Sequence, residues 1–160
     1  MAYYQPYLFF DVEYECRDCE ERYLAIKYDL GDIRGKTLLD FYSANCYFGF
    51  RFLKDGGKRV EAVETNKYIR DEVNQLAVGH RLNLVCYPDA KKLSTHFDVG
   101  LLLDSYGYGD TPEYVEILKN RCKVAYISAP DAGMNGKVER LGGKVIYTGK
   151  EGKAIYRCFS

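Results

Sequence analysis

Two acids close short apolar runs in this chain, Asp40 after Leu38 and Leu39, and Glu64 after Val60, Ala62 and Val63. A carboxylate in such a place can accept hydrogen bonds from hydroxyl groups or hold a proton, and the elements around it decide which. Residues 36–41 and 59–64 each read as a buried strand ending in its acid, and residues 43–54 as a loop followed by a helix. The result is a strand, helix, strand unit with its polar groups at the carboxyl ends of the strands, where open parallel sheets bind ligands. An acid about 20 residues beyond the intervening loop is spaced to accept hydrogen bonds from ribose hydroxyls. Glu64 is therefore the leading candidate for a nucleoside contact, against the plainer reading of a solvated acid at a strand end.

A third acid, Asp104, follows the run Leu101, Leu102, Leu103 and precedes Tyr106 and Tyr108. His96 could act as a base, but its neighbours Ser94, Thr95 and Asp98 suit a surface histidine equally well. The cysteines carry less. Cys46, Cys86, Cys122 and Cys158 are scattered along apolar segments, where a free thiol behaves as a small hydrophobe. Cys16 and Cys19 form the one close pair; neither His80 nor His96 is near it, so zinc is not expected. Glu15, Asp18, Glu20 and Glu21 surround that pair and would raise a thiol pKa, which argues against a redox role. The pair reads as the opening of a helix.

The elements that must position these groups follow from periodicity. Residues 17–30 read as a helix stopped by Gly31, residues 47–53 as a short aromatic helix ended by Gly56 and Gly57, and Asn66 as the cap of a helix carrying Ile69, Val73, Leu76 and Ala77. Strands follow at 82–86, 98–104 and 122–128, with only a short turn of helix expected between the third and fourth. Thr111 as cap and Pro112 in the first turn open a further helix, residues 134–141 a short one, and 145–148 with 154–158 close the chain as an antiparallel hairpin. This predicts an α/β fold: a mostly parallel sheet of about seven strands, helices on both faces, and a C-terminal antiparallel hairpin. A chain of 160 residues supports one core, so an arm and helix over 1–34 should pack on a domain spanning 35–160. The sixteen tyrosines, with Tyr3, Tyr4 and Tyr7 beside Phe9 and Phe10, suit either partly buried strands or an aromatic surface that would support a homodimer. The formal net charge of zero gives no long-range attraction to nucleic acid or anionic lipid, and no apolar run reaches membrane-span length. A soluble, cytoplasmic protein is expected.

From Leu38 to Asn66 the chain reads LLDFYSANCYFGFRFLKDGGKRVEAVETN, and from Phe97 to Tyr108 it reads FDVGLLLDSYGY. These stretches resemble class I S-adenosylmethionine-dependent methyltransferases, and the similarity runs over about residues 35–158. The resemblance implies S-adenosylmethionine as cofactor, with Asp40 opening its loop, Tyr42, Ser43, Ala44 and Asn45 passing beneath it, Glu64 and Thr65 at the ribose, and Asp89 with Ala90 at the adenine. It implies Asp104 and Tyr106 on the acceptor side. In the family, glycines stand where this chain has Tyr42, Ala44 and Cys46, because the backbone there must turn sharply near the ligand. A non-glycine residue in the left-handed conformation costs roughly 1 to 2 kcal/mol, and the Tyr42 ring must either enter the pocket or wall it. Gly49, within the helix, should serve close packing on the sheet.

The Asn or Asp, Pro, Pro, aromatic motif of amino-group methyltransferases is absent, which disfavours a base amine or a glutamine amide as acceptor. The expected function is methyl transfer to a small acceptor or to one presented by a macromolecular partner. The alternatives are a degenerate relative acting as a binding module and an enzyme that uses the sheet with another nucleotide. A nicotinamide enzyme lacks its first two loop glycines here, and the P-loop sequence is missing altogether.

Overall fold

The apolar runs pair into one seven-stranded sheet: β1 (Thr37–Phe41), β2 (Arg59–Val63), β3 (Leu84–Tyr87), β4 (Phe97–Leu102), β5 (Cys122–Ile127), β6 (Lys144–Thr148) and β7 (Ala154–Cys158). Their order is β3-β2-β1-β4-β5-β7-β6, parallel from β3 to β5 and antiparallel at the two pairings of β7. The computed structural model describes residues 18–107 and 110–160. The expectations for Tyr3, Tyr4, Tyr7, Phe9 and Phe10, for Cys16 and for Tyr108 lie outside the described residues.

Successive strand residues point to opposite faces, and each face has its own helices. Leu38, Val60 and Val99 pack with α1 (Cys19–Leu30), α2 (Tyr47–Lys54) and α3 (Lys67–Gly79). Leu39, Phe41, Val63 and Leu102 pack with α4 (Thr111–Arg121) and α5 (Asn135–Glu139). The local signals act as read. Asn66 Oδ1 accepts from the amides of Tyr68 and Ile69 at 3.0 and 3.3 Å, capping α3, a contact worth about 1 kcal/mol. Gly56 takes a φ of +101° behind α2. A Cβ on Gly49 would lie 3.0 Å from Val60 Cγ1 and 3.2 Å from Leu84 Cδ1, so α2 does approach the sheet through its glycine.

One expectation fails. Among the described residues no helix crosses from β3 to β4; the nine residues between Tyr87 and Phe97 form bends and a turn. Geometry explains it. The connection must pass from the edge of the sheet over β2 and β1, a lateral shift of about 14 Å, and also return along the strand direction. Extended, nine residues reach about 30 Å; coiled into helix they reach about 14 Å. The segment is held by side chains instead. The buried carboxylate of Glu61, an acid inside β2, accepts from the amide of Ser94 at 2.9 Å, Arg59 donates to Ser94 Oγ at 3.1 Å, and Leu93 fills the core beneath. The strand limits also move. β3 begins at Leu84 and runs to Tyr87, while β4 stops at Leu102, leaving Leu103 and Asp104 in the following loop. No helix among the described residues is long and apolar enough to cross a membrane.

Candidate functional site

The turn after β1 has the backbone shape that glycine would give it, without glycine. Tyr42, Ala44 and Cys46 stand at φ +52°, +49° and +58°. Hydrogen bonds close the turn: Ser43 N donates to Val63 O at 3.2 Å and Cys46 N to Ser43 O at 2.9 Å. The Tyr42 ring swings onto α4, 5.3 Å from Tyr114 in an edge-on contact, and Tyr114 stacks on Phe41 at 4.1 Å. Ser43 and Asn45 are buried, and the Cys46 thiol is pushed well above its usual value by its hydrogen bond to Cys86 and by burial. It is therefore an unreactive part of the turn's packing.

The two acids of the strand ends meet at this turn. β1 pairs with β2 so that Asp40 faces Ala62, which puts Glu64 level with Tyr42. Glu64 is buried and bridges two backbone amides: Oε1 accepts from Ala44 N at 3.0 Å and Oε2 from Asn66 N at 2.8 Å. Asp40 is 3% exposed, and its Oδ2 has no hydrogen-bond partner among the described residues. Burial, and then the charge of Glu64, pushes the Asp40 carboxyl up to about 8, against the opposing pull of Arg22. Near neutrality Asp40 is therefore a proton-bearing acid, the outcome that low dielectric and a neighbouring carboxylate produce together. Thr65 is exposed beyond Glu64, and Asp89 and Ala90 follow β3 half-buried, with Asp89 Oδ1 accepting from Lys91 N at 2.9 Å.

Asp104 has a different environment from the one its sequence position suggested. It takes a φ of +60° just past β4 and receives the Arg22 guanidinium end-on, Nη1 to Oδ2 at 2.9 Å and Nη2 to Oδ1 at 3.0 Å. Lys153 Nζ lies 2.8 Å from Oδ1, and Ser128 Oγ accepts from Asp104 N at 2.9 Å. Burial alone would raise the carboxyl, but Arg22 and Lys153 hold it below the usual carboxylate range. It is a poor proton acceptor and a firm electrostatic anchor. Tyr106, half-buried, packs with the cluster on the α4 face. His96 precedes β4, at the amino end of a six-residue strand, so about 20 Å of strand separates it from Asp104. Arg22, Ser128 and Lys153 were not legible as partners of Asp104: Arg22 reads as one more polar position of an amphipathic helix, and its burial depends on where α1 docks. Among the described residues no three His, Cys, Asp or Glu side chains are placed to hold a metal ion.

No family model matches the chain, and no curated protein matches it in sequence. Solved structures do match in three dimensions. A candidate RNA methyltransferase from Pyrococcus horikoshii superposes at a TM-score of 0.70 with 17% identity, over 98% of this chain and 90% of that one. A Thermoplasma acidophilum protein superposes at 0.66 with 14% identity, over 85% of both chains. A candidate methylase from Haemophilus influenzae does so at 0.65 with 14% identity, over 86% of this chain and 94% of that one. The strand order, the terminal antiparallel pair and these superpositions together establish that the chain has the class I methyltransferase fold.

Proposed function

We propose that the chain binds S-adenosylmethionine at the carboxyl ends of β1 and β2 and transfers its methyl group to a small or partner-presented acceptor. The observation that carries this reading is the left-handed trio Tyr42, Ala44 and Cys46. Strain of this kind, about 1 to 2 kcal/mol per residue, persists where surrounding structure enforces it, and it concentrates at functional sites. The Tyr42 ring, turned onto Tyr114, leans away as a wall rather than a plug. The polar groups fit the cofactor as well. Asp40 Oδ2 is a buried acceptor without a hydrogen-bond partner among the described residues, and a ligand bearing sulfonium and ammonium charge would favour the ionised form of Asp40 beside Glu64. Glu64 would hold the ribose with the lone pairs not used by Ala44 N and Asn66 N, and Thr65, Asp89 and Ala90 would line the adenosine.

When bound, the cofactor supplies a methyl group on a sulfonium, an electrophile that leaves behind a neutral thioether. The protein's task is alignment. Asp104, anchored by two cations, would shape the acceptor side without taking a proton, and Tyr106 would flank it. This favours acceptors that need no strong base and release any proton to solvent. A formal net charge of zero gives a polyanionic acceptor no attraction.

The bridging of Glu64 to two amides favours a second reading, a binding module in which that acid only braces the turn. Calorimetric titration with S-adenosylmethionine and S-adenosylhomocysteine separates the two. The expected outcome is binding with thermal stabilisation, weakened more than tenfold by Glu64→Ala, since a buried charged hydrogen bond is worth about 1.5 to 3 kcal/mol. Absence of heat and of stabilisation would leave the binding module.

A further inference from the structure

Register places a second set of charges beside the turn. Phe41 pairs with Leu102, so Asp104 stands level with Ser43, and a cleft of about 430 Å³ opens there between α1, the end of β4 and the turn joining β6 to β7. That volume suits a small molecule. Its inner wall is Arg22, 5% exposed, and Lys153, 26% exposed at its side chain, both set on Asp104. Two cations therefore share one carboxylate. Lys153 Nζ has three N–H groups, of which the contact with Asp104 uses one. Farther out, Lys150 lines the cleft together with Asp18 and Glu151. The outer acids oppose an extended polyanion, while the inner wall keeps a surplus positive charge. Arg22 also reaches the Asp40 and Glu64 end of the site through its charge on Asp40, whereas Lys153 is set on Asp104.

We propose that this cleft binds a small anion, the carboxylate or phosphate group of the methyl acceptor, with Lys153 as its direct contact and Arg22 supporting it electrostatically. The identification of that anion as part of the acceptor rests on the transferase reading; the anion site does not. The competing account, a clamp that only ties α1 and the hairpin to β4, allows no response to anions beyond ionic strength.

Thermal unfolding in inorganic phosphate and in sodium acetate, each against potassium chloride at matched ionic strength, tests the site. The wild-type midpoint should rise by about 3 °C near tenfold saturation, and Lys153→Met should lose most of that rise. Glu151→Lys, which adds a cation at the rim, should enlarge it. The larger response, to phosphate or to acetate, names the chemical group. S-adenosylhomocysteine affinity should stay within about twofold in Lys153→Met. No rise in wild type, or an equal rise in Lys153→Met, overturns the anion site, and joint loss of phosphate and S-adenosylhomocysteine binding overturns its assignment to the acceptor. Phosphate binding through Lys153 without any S-adenosylhomocysteine binding would keep the anion site and remove the transferase reading instead.

Discussion

Replacing Asp40 with Asn preserves the shape of a neutral carboxyl and removes its titration, so comparing the two proteins isolates the behaviour of one proton. Burial and the charge of Glu64 push the folded-state value up to about 8, whereas an aspartate in an unfolded chain titrates near about 4. Between those values the folded protein holds a proton that the unfolded chain has released. The stability this proton contributes is fully present below about pH 4 and is lost as pH rises through about 8. Each pH unit inside the window costs about 1.4 kcal/mol, so from pH 5 to pH 7 the wild type should lose on the order of 3 kcal/mol relative to Asp40→Asn. Urea unfolding of both proteins at pH 5, 6, 7 and 8.5 measures that difference directly. Asp55, Asp98 and Asp104, which are held low and gain stability as pH rises, act in both proteins and cancel. Excess S-adenosylmethionine should flatten the slope, because a cation beside Asp40 favours its ionised form, and S-adenosylhomocysteine should flatten it less. Parallel pH profiles for wild type and Asp40→Asn would refute the reasoning, since they would mean that the carboxyl is ionised in the folded protein.

Two further substitutions test the packing that sets the site. Ala44→Gly removes the penalty of a side chain at φ +49° and should stabilise the protein by about 0.5 to 1 kcal/mol after the extra freedom of glycine in the unfolded chain is counted, as read from the urea midpoint. Gly100→Ala would put a Cβ 2.3 Å from Leu118 Cδ2 and 2.7 Å from Cys122 Sγ. Overpacking between β4 and α4 should cost about 1 to 3 kcal/mol, visible as a lower thermal midpoint; an unchanged midpoint would mean that α4 can shift outward freely.

The fold was legible because its strands are continuous apolar runs and its helices carry their own stop and start signals. Asn66 before α3, Pro112 in the first turn of α4 and the Gly-containing turn of the closing hairpin all act locally, and each behaves as the residues suggest; Thr111 does not cap α4 but is its first residue, with Asp110 in the cap position. The crossover after β3 was misread because its conformation is set by a distance that only the strand order reveals. The same holds for Asp104. Its position after β4 marks it as a site residue, but its partners come from α1, from the end of β5 and from the closing hairpin, with sequence separations of 82 for Arg22 and 24 for Ser128. Contacts of that range leave no periodic trace in the chain.

The turn after β1 was read correctly in shape, and its apparent cost resolves once its partners are counted. Three left-handed residues cost roughly 3 to 6 kcal/mol together. Against this stand the bonds from Ser43 N to Val63 O, Cys46 N to Ser43 O and Phe50 N to Cys46 O, each worth about 1 kcal/mol net. The charge-assisted bond from Ala44 N to Glu64 Oε1 adds about 1.5 to 3 kcal/mol. The two sums are comparable, so the glycine-free turn holds its form because the acid 20 residues later grips its middle amide. Glu64 is thus both the brace of the turn and the candidate ribose contact. Ala44→Gly should therefore lower the stability cost of Glu64→Ala without restoring the lost cofactor affinity, since glycine at position 44 relieves the strain and supplies no carboxylate.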